Sequence, residues 1–360
     1  MDIKMRTSVL CCIAACMLTV AVPLISEATY GGRGGEASNK YEDFLELPIT
    51  DTKPPLPSEE ITQEPPVTSL GETEAEPPAY GGNMTVRVLD EKSGEIIQMK
   101  LDDYITCVVA AEMPYTFNSE ALKAQAVAAR SYCIYKISNG SGHNNADICT
   151  NYSHCAAYVT EKELTDKYGK TTANKILTKV RAAVSATSGE IITYNGEPAL
   201  ALFHSRSWQQ TESSENVWGG KLPYLTSVST PEEDSVSTVT ITEKELNELF
   251  NSTYAVQVSN QATSKKLTSK LNSSGRQSSL FYKGKELKAK KLRSLAGLKS
   301  CNFEYKETAE GWVFTVHGYG HGVGMSQYGA NEMAKNGYDY KDILTHYYTG
   351  VKIESLDSDI

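Results

Sequence analysis

The amino-acid sequence predicts an α+β fold, carried as a membrane-anchored ectodomain with a mixed core of helices and antiparallel strands and a small basic lobe. Three observations carry this reading. Two strand–turn–strand patterns read as hairpins, around 85–99 and 190–203. Long stretches with apolar residues three and four apart read as helices between them. No βαβ rhythm follows, which argues against a parallel sheet.

The chain opens with Lys4 and Arg6, then an uncharged stretch from Thr7 to Ser26. Its length is just enough to span a bilayer. A cleaved signal would be cut near Ser26-Glu27-Ala28, and a lipoprotein would use Cys16. An uncleaved anchor over residues 1–26 fits the run length best, and every reading exports the chain. Basic residues before the run keep that end in the cytoplasm.

The formal net charge of the 360 residues is −9. Residues 27–82 hold 12 acids against 3 bases, so the whole excess lies there. A strongly acidic or basic globular body is thereby excluded. The same segment holds 8 of the 13 prolines. It cannot bury enough apolar surface to offset its ordering entropy and is expected to be an extended stalk.

The folded part is expected over 83–360. Residues 85–89 and 96–99 form the first hairpin, around Glu91-Lys92-Ser93-Gly94. Leu101 to Met113 follows as a helix, with Ile105, Val108, Val109 and Glu112 on one face and Pro114 as its stop. A second, alanine-rich helix runs from Ser119 to about Ile137, capped by Asn118 or Ser119. Leu122, Ala126, Ala129 and Cys133 form its buried stripe. A third helical stretch covers about 161–187. Strands at 190–194 and 199–203 flank Asn195-Gly196, a strong hairpin signal. Residues 265–299 hold 11 Lys and Arg against one acid, Glu286. Export argues against nucleic acid, leaving a solvated lobe or attraction to an anionic wall polymer.

Four constellations carry chemistry. Glu112 sits on an apolar stripe at a helix C-terminus, where burial and the helix dipole both favour the protonated acid. Such an acid suits general-acid cleavage of a glycosidic bond; a buried structural glutamate bonded to backbone, Lys123 or Arg130 is the plain alternative. His143, Cys149, His154 and Cys155 suit tetrahedral zinc, structural if all four bind. A Cys149–Cys155 disulfide competes and leaves both histidines unexplained. Gly318, Gly320, Gly322 and Gly324 alternate after a strand. Their spacing fails the dinucleotide fingerprint, leaving close approach to a ligand or a tight structural turn. His204-Ser205 lacks a nucleophile elbow. With Trp218 and nearby amides and acids, it suits a sugar-binding cleft. Cys107, Cys133 and Cys301 read as small buried residues.

These residues resemble the stage II sporulation protein D (SpoIID) family, related to the amidase enhancer LytB. The resemblance rests on Ala110-Ala111-Glu112-Met113-Pro114, on 121–132, on Glu215-Asn216-Val217-Trp218-Gly219, and on Gly320-His321-Gly322-Val323-Gly324-Met325-Ser326-Gln327. It covers about 84–351 in matching order. It implies a lytic transglycosylase acting on peptide-free peptidoglycan glycan strands during engulfment, beside an amidase/endopeptidase (SpoIIP) and a membrane protein (SpoIIM). It places the catalytic role on Glu112. It also implies a structural zinc site with the His-x5-Cys-x4-His-Cys spacing of clostridial members. Lys123, Arg130, Tyr132, His204, Trp218, His321, Ser326 and Gln327 are the expected substrate-groove residues. One departure stands out: the family reads His-Ser-x-Ser-Gly-Gly where this chain has His204-Ser205-Arg206-Ser207-Trp208-Gln209. If those glycines need positive φ, the loop must be reshaped. That departure leaves open a non-catalytic activator of an amidase, and a catalytic role for the zinc remains a third class.

Overall fold

A computed structural model describes residues 84–140, 142–143, 145–258 and 266–356. The expected anchor and stalk lie outside the described residues. Among the described residues no helix is long and apolar enough to cross a membrane.

The architecture is mixed helix and strand, with mostly antiparallel sheets. β1 (Thr85–Leu89) and β2 (Ile96–Lys100) pair antiparallel from Thr85↔Lys100 to Leu89↔Ile96. α1 (Leu101–Glu112) follows at once and ends at Met113, whose backbone turns extended before Pro114. α2 (Ser119–Asn139) starts on Asn118, whose side chain accepts the Glu120 N–H. Twelve of its residues are buried, well beyond one stripe. Its alanines let α1 and its other neighbours approach closely, so α2 is the central helix of the body.

β3 (Ile148–Cys149) joins β1 in parallel. The expected third helix is two: α3 (Glu161–Tyr168) and α4 (Lys170–Ser185). Gly169 lies between them at φ 76°, a left-handed backbone that no helix continues through. β4 (Glu190–Tyr194) pairs with β5 (Glu197–Pro198) across Asn195 and Gly196, both at positive φ. The hairpin is therefore present but short. The ladder carries one more bond past Pro198, Ala199 N–H to Ile192 O (2.9 Å), and stops where Ile192 N–H donates to Ser131 Oγ instead (2.7 Å); β6 (Phe203–His204) then pairs in parallel elsewhere.

α5 (Ser214–Trp218), β7 (Val236–Ile241), α6 (Glu243–Asn251), β8 (Val256–Gln257), β9 (Thr268–Leu271), β10 (Gln277–Tyr282), β11 (Lys285–Lys288) and α7 (Ala289–Ala296) come next. β12 (Phe303–Thr308) and β13 (Gly311–His317) then form a sheet with β7. One apolar core runs from Ile241 to Val316 and includes Leu280, Leu292 and Phe314. The basic run is thus one part of a larger lobe. β14 (Met325–Ser326) pairs with β6, α8 (Gln327–Lys335) and α9 (Tyr340–Tyr347) pack on α2, and β15 (Lys352–Ser355) closes the β4 sheet.

Arg130 on α2 has no exposed surface. Its guanidinium donates to Asp102 Oδ1 on α1 (2.9 Å) and to the carbonyls of Val184 (3.3 Å), Thr187 (2.7 Å) and Glu190 (3.1 Å). Those carbonyls belong to the end of α4 and the entry to β4, where helix carbonyls lack intrahelical donors. Arg130 therefore cannot touch a substrate, which corrects its expected place in the groove.

The turn that departs from the family pattern keeps a left-handed residue, with Gln209 at φ 65°. Gln210 N–H donates to Trp208 O (2.8 Å) and Thr230 N–H to Gln209 O (3.0 Å). The turn has kept a backbone that glycine favours while carrying a side chain.

Two outcomes are expected. Arg130→Ala should cost about 3–5 kcal/mol in a denaturant titration, because Asp102 loses its ionic partner and three carbonyls each lose one of their donors. Arg130→Lys should recover little of that, since an ammonium cannot serve four separated acceptors. A loss below about 1 kcal/mol would mean that water replaces the guanidinium. Gln209→Gly should raise the melting temperature slightly. Relief of about 1–2 kcal/mol of left-handed strain outweighs the added unfolded-chain entropy of up to about 1 kcal/mol. A lower melting temperature in that variant would show that the Gln209 side chain stabilises the turn.

Candidate functional site

Glu112 ends α1 and is 4% exposed. Its Oε1 accepts the Ala157 N–H at 2.7 Å, and its Oε2 accepts Gln327 Nε2–H at 3.3 Å. The same Nε2 donates to Gln125 Oε1 at 3.4 Å. α1, α2, the start of α8 and the chain at 157 thus converge on one carboxyl group. Gln125 Nε2 and Gln327 Oε1 have no hydrogen-bond partner among the described residues. A donor and an acceptor are left unused beside the carboxyl.

A second cluster forms where β6 meets β14. His204 is buried, with Nδ1 3.2 Å from Val323 O and Nε2 2.7 Å from Ser207 Oγ. A carbonyl only accepts, so Nδ1 carries the proton and Nε2 accepts from Ser207. Burial, then the charges near His321 and Arg276, holds this imidazole well below its ordinary pKa. It is a neutral structural ring. His321 lies 5.8 Å from His204 and 5.4 Å from Trp218, centroid to centroid. Trp218 is 47% exposed and forms the open end of this row.

The alternating glycines bring backbone against the protein's own chain. A Cβ on Gly324 would stand 2.0 Å from Leu202 O, and one on Gly322 2.9 Å from the Arg276 guanidinium. Both have positive φ. The tight structural turn is the reading that holds. Arg276 reaches in from the β9–β10 turn, donating to Ser207 Oγ (3.1 Å) and Gln210 O (2.8 Å).

Two buried carboxylates that the sequence did not mark as site residues organise this region. Glu232 accepts Ser207 N–H (2.8 Å) and Ser326 Oγ–H (2.5 Å) on Oε1, and Thr230 Oγ1–H on Oε2. Glu212 accepts from Ser213 N–H, Asn216, Asn272 and Ser274, and lies 3.8 Å from Arg276 Nε. Both follow irregular stretches with no periodicity; Glu212 is one of the acids whose company with Trp218 suggested a cleft, and no sequence pattern marks Glu232.

The expected groove residues therefore divide. Gln327 meets Glu112, while His204, His321 and Trp218 meet one another. Ser326 is wholly buried and caps α8, accepting Gly329 N–H while donating to Glu232. That corrects its expected contact with substrate. Lys123 pairs with Glu120 (2.7 Å) and stands over the Tyr340 ring, and Tyr132 donates to His154 O (3.2 Å). Trp208 stacks on His317 at 4.3 Å, so the ring that replaces a family glycine packs on the lobe.

The His/Cys loop is a separate constellation. Cys149 and Cys155 are free thiols. His143 Nε2 lies 3.2 Å from Cys155 Sγ, and the ligand atoms of His143, Cys149 and Cys155 all lie within 4.8 Å of one another. The ligand atoms of His154, Cys149 and Glu91 likewise lie within 4.8 Å of one another, with His154 Nδ1 3.5 Å from Glu91 Oε1. Zinc–sulfur and zinc–nitrogen bonds of about 2.3 and 2.0 Å put tetrahedral ligand atoms about 3.5 Å apart. The first three residues fit that donor set. His154 adjoins it through Cys149.

The sequence profile described as "Stage II sporulation protein" (SpoIID) matches residues 90–194. The chain is 35% identical to Stage II sporulation protein D of Bacillus amyloliquefaciens over 79% of this chain and 83% of that protein. It is 34% identical to the protein of that name in Bacillus subtilis, over 76% and 80%. It is also 27% identical to the Bacillus subtilis amidase enhancer, over 69% of this chain and 40% of that one. With two relatives of that name 34–35% identical over more than three quarters of its length, the chain belongs to the stage II sporulation protein D family.

Proposed function

We propose that this sporulation protein is a peptidoglycan lytic transglycosylase that cleaves the N-acetylmuramic acid–N-acetylglucosamine bond of peptide-free glycan strands, with Glu112 as its acid and base. The observation that carries the reading is the seat of Glu112. A short bond from Ala157 N–H fixes Oε1, and a long one from Gln327 leaves Oε2 the oxygen able to exchange partners. Gln125 and Gln327 keep an unused donor and acceptor beside it, both as buried as the carboxyl itself.

In this mechanism Glu112 Oε2–H protonates the glycosidic oxygen. The bond from the muramyl anomeric carbon to that oxygen breaks through an oxocarbenium-like transition state. The carboxylate, steadied by the Ala157 N–H, then takes the proton of the sugar's own 6-hydroxyl. That oxygen closes on the anomeric carbon as a 1,6-anhydro ring. The nucleophile is intramolecular, so no second catalytic carboxylate or positioned water is needed. Glu212 and Glu232 are free to serve the fold.

His143, Cys149 and Cys155, with His154 as the fourth ligand, would hold a zinc ion that cross-links the loop and leaves no open position for chemistry. Residues 1–26 would anchor the chain in the membrane with its folded part outside the cytoplasm, beside an amidase/endopeptidase and a partner membrane protein of the engulfment machinery. The amidase-enhancer relative supports work alongside an amidase.

Purified chain incubated with peptide-free strands should release anhydro-ended products by mass spectrometry, and Glu112→Gln should lower the rate by about 100-fold or more. Reducing-end products would mean hydrolysis by water. Binding without cleavage would mean a non-catalytic activator of an amidase. Metal analysis should find about one zinc per chain. Cys149→Ser should lose it, with melting temperature and activity falling together. A loss of activity by chelator at unchanged melting temperature would instead make the metal catalytic.

A further inference from the structure

The basic run of the lobe has one acid, Glu286, and that carboxylate is taken by Lys288 Nζ (2.5 Å) and Ser279 Oγ (2.6 Å). α7 buries Ala289 and Leu292 in the lobe core. Helical spacing then turns Lys290 outward, and it is exposed. Its ammonium stands 5.8 Å from the centroid of the Trp218 ring. Among the described residues it forms no ion pair. Its neighbours are otherwise engaged: Lys291 lies 3.5 Å over the Tyr254 ring, and Arg293 donates to Leu298 O. The open end of the Trp218–His321 row is therefore an exposed indole with an ammonium over its ring.

An indole face takes the apolar face of a pyranose, and an ammonium takes an anion beside it. N-acetylmuramic acid without a stem peptide presents both, because its lactyl group ends in a free carboxylate. With the peptide attached, that carboxyl is a neutral amide. We propose that Trp218 and Lys290 form a muramyl subsite, and that Lys290 reads the free lactyl carboxylate and so sets a preference for peptide-free strands. The inference rests on the transglycosylase reading for the identity of the polymer, and it does not depend on chemistry at Glu112.

The test is strand binding to the full chain carrying Glu112→Gln, which removes turnover. Peptide-free strands are compared with the same strands after conversion of the lactyl carboxyls to methylamides. The carboxylate strands should bind about tenfold tighter. Lys290→Glu should abolish that ratio at an unchanged melting temperature, and Lys290→Arg should keep it. Trp218→Ala should weaken both strands alike. A ratio that survives Lys290→Glu would overturn the subsite. So would displacement by polyglutamate as effective as by the strands themselves, which would mark a general anion patch. If the native chain cleaves nothing while the Lys290-dependent ratio persists, the transglycosylase reading falls and the subsite stands. If it cleaves both strands alike with no ratio, the subsite falls alone.

Discussion

The Arg130–Asp102 pair, with three backbone carbonyls around the same guanidinium, joins α1, α2, the end of α4 and the start of β4 in one buried contact. A charge out of water is stable only when its donors are met, and here one planar fork meets four acceptors. The consequence reaches Glu112. α1 carries Asp102 in its first turn and Glu112 at its end, so the contact that locks the start of the helix also sets where its last residue points. Gln125, one and a half turns before Arg130 on α2, receives Gln327 at the same junction.

A second buried carboxylate performs the same task for the other half of the molecule. Glu232 holds Ser207 and Ser326, and Ser326 caps the helix that begins with Gln327. The amide facing Glu112 is therefore placed by a glutamate on a distant loop. Arg276 extends the network into the lobe through Ser207, and through Ser207 to His204. The neutral state of His204 follows from this arrangement. A protonated ring would have to donate from both nitrogens while buried beside another cation. The lobe's position relative to the site thus depends on polar contacts in a dry interior, where a missing partner is costly.

Much of the helical body was legible in the sequence. Periodicity located α1 and α2, Asn118 marked a start, and Pro114 marked a stop. Asn195-Gly196 placed a turn. Less was legible where local signals competed. Gly169 broke a helix that its flanking pattern would have continued, and Ser131 took the Ile192 N–H and so shortened a hairpin. Glu232 carried no signal and Glu212 only a compositional one, because many of the donors that hold these carboxylates (Asn272 and Ser274, Ser207 and Ser326) lie tens of residues away. Arg130 and Ser326 matched family motifs, and those motifs mark residues that build the site's frame as well as residues that face a ligand.

The sequence by itself determined the α+β class, the helix carrying Glu112 at its end, the family, and the grouping of His143, Cys149, His154 and Cys155 in one loop. These rest on local propensity, capping and spacing, which act between neighbours along the chain. Tertiary structure alone decided that Arg130 and Ser326 face inward, that the alternating glycines meet their own chain, and that Lys290 stands beside Trp218. Each of those depends on which segments are brought together, and burial and hydrogen-bond partners exist only once distant segments have met.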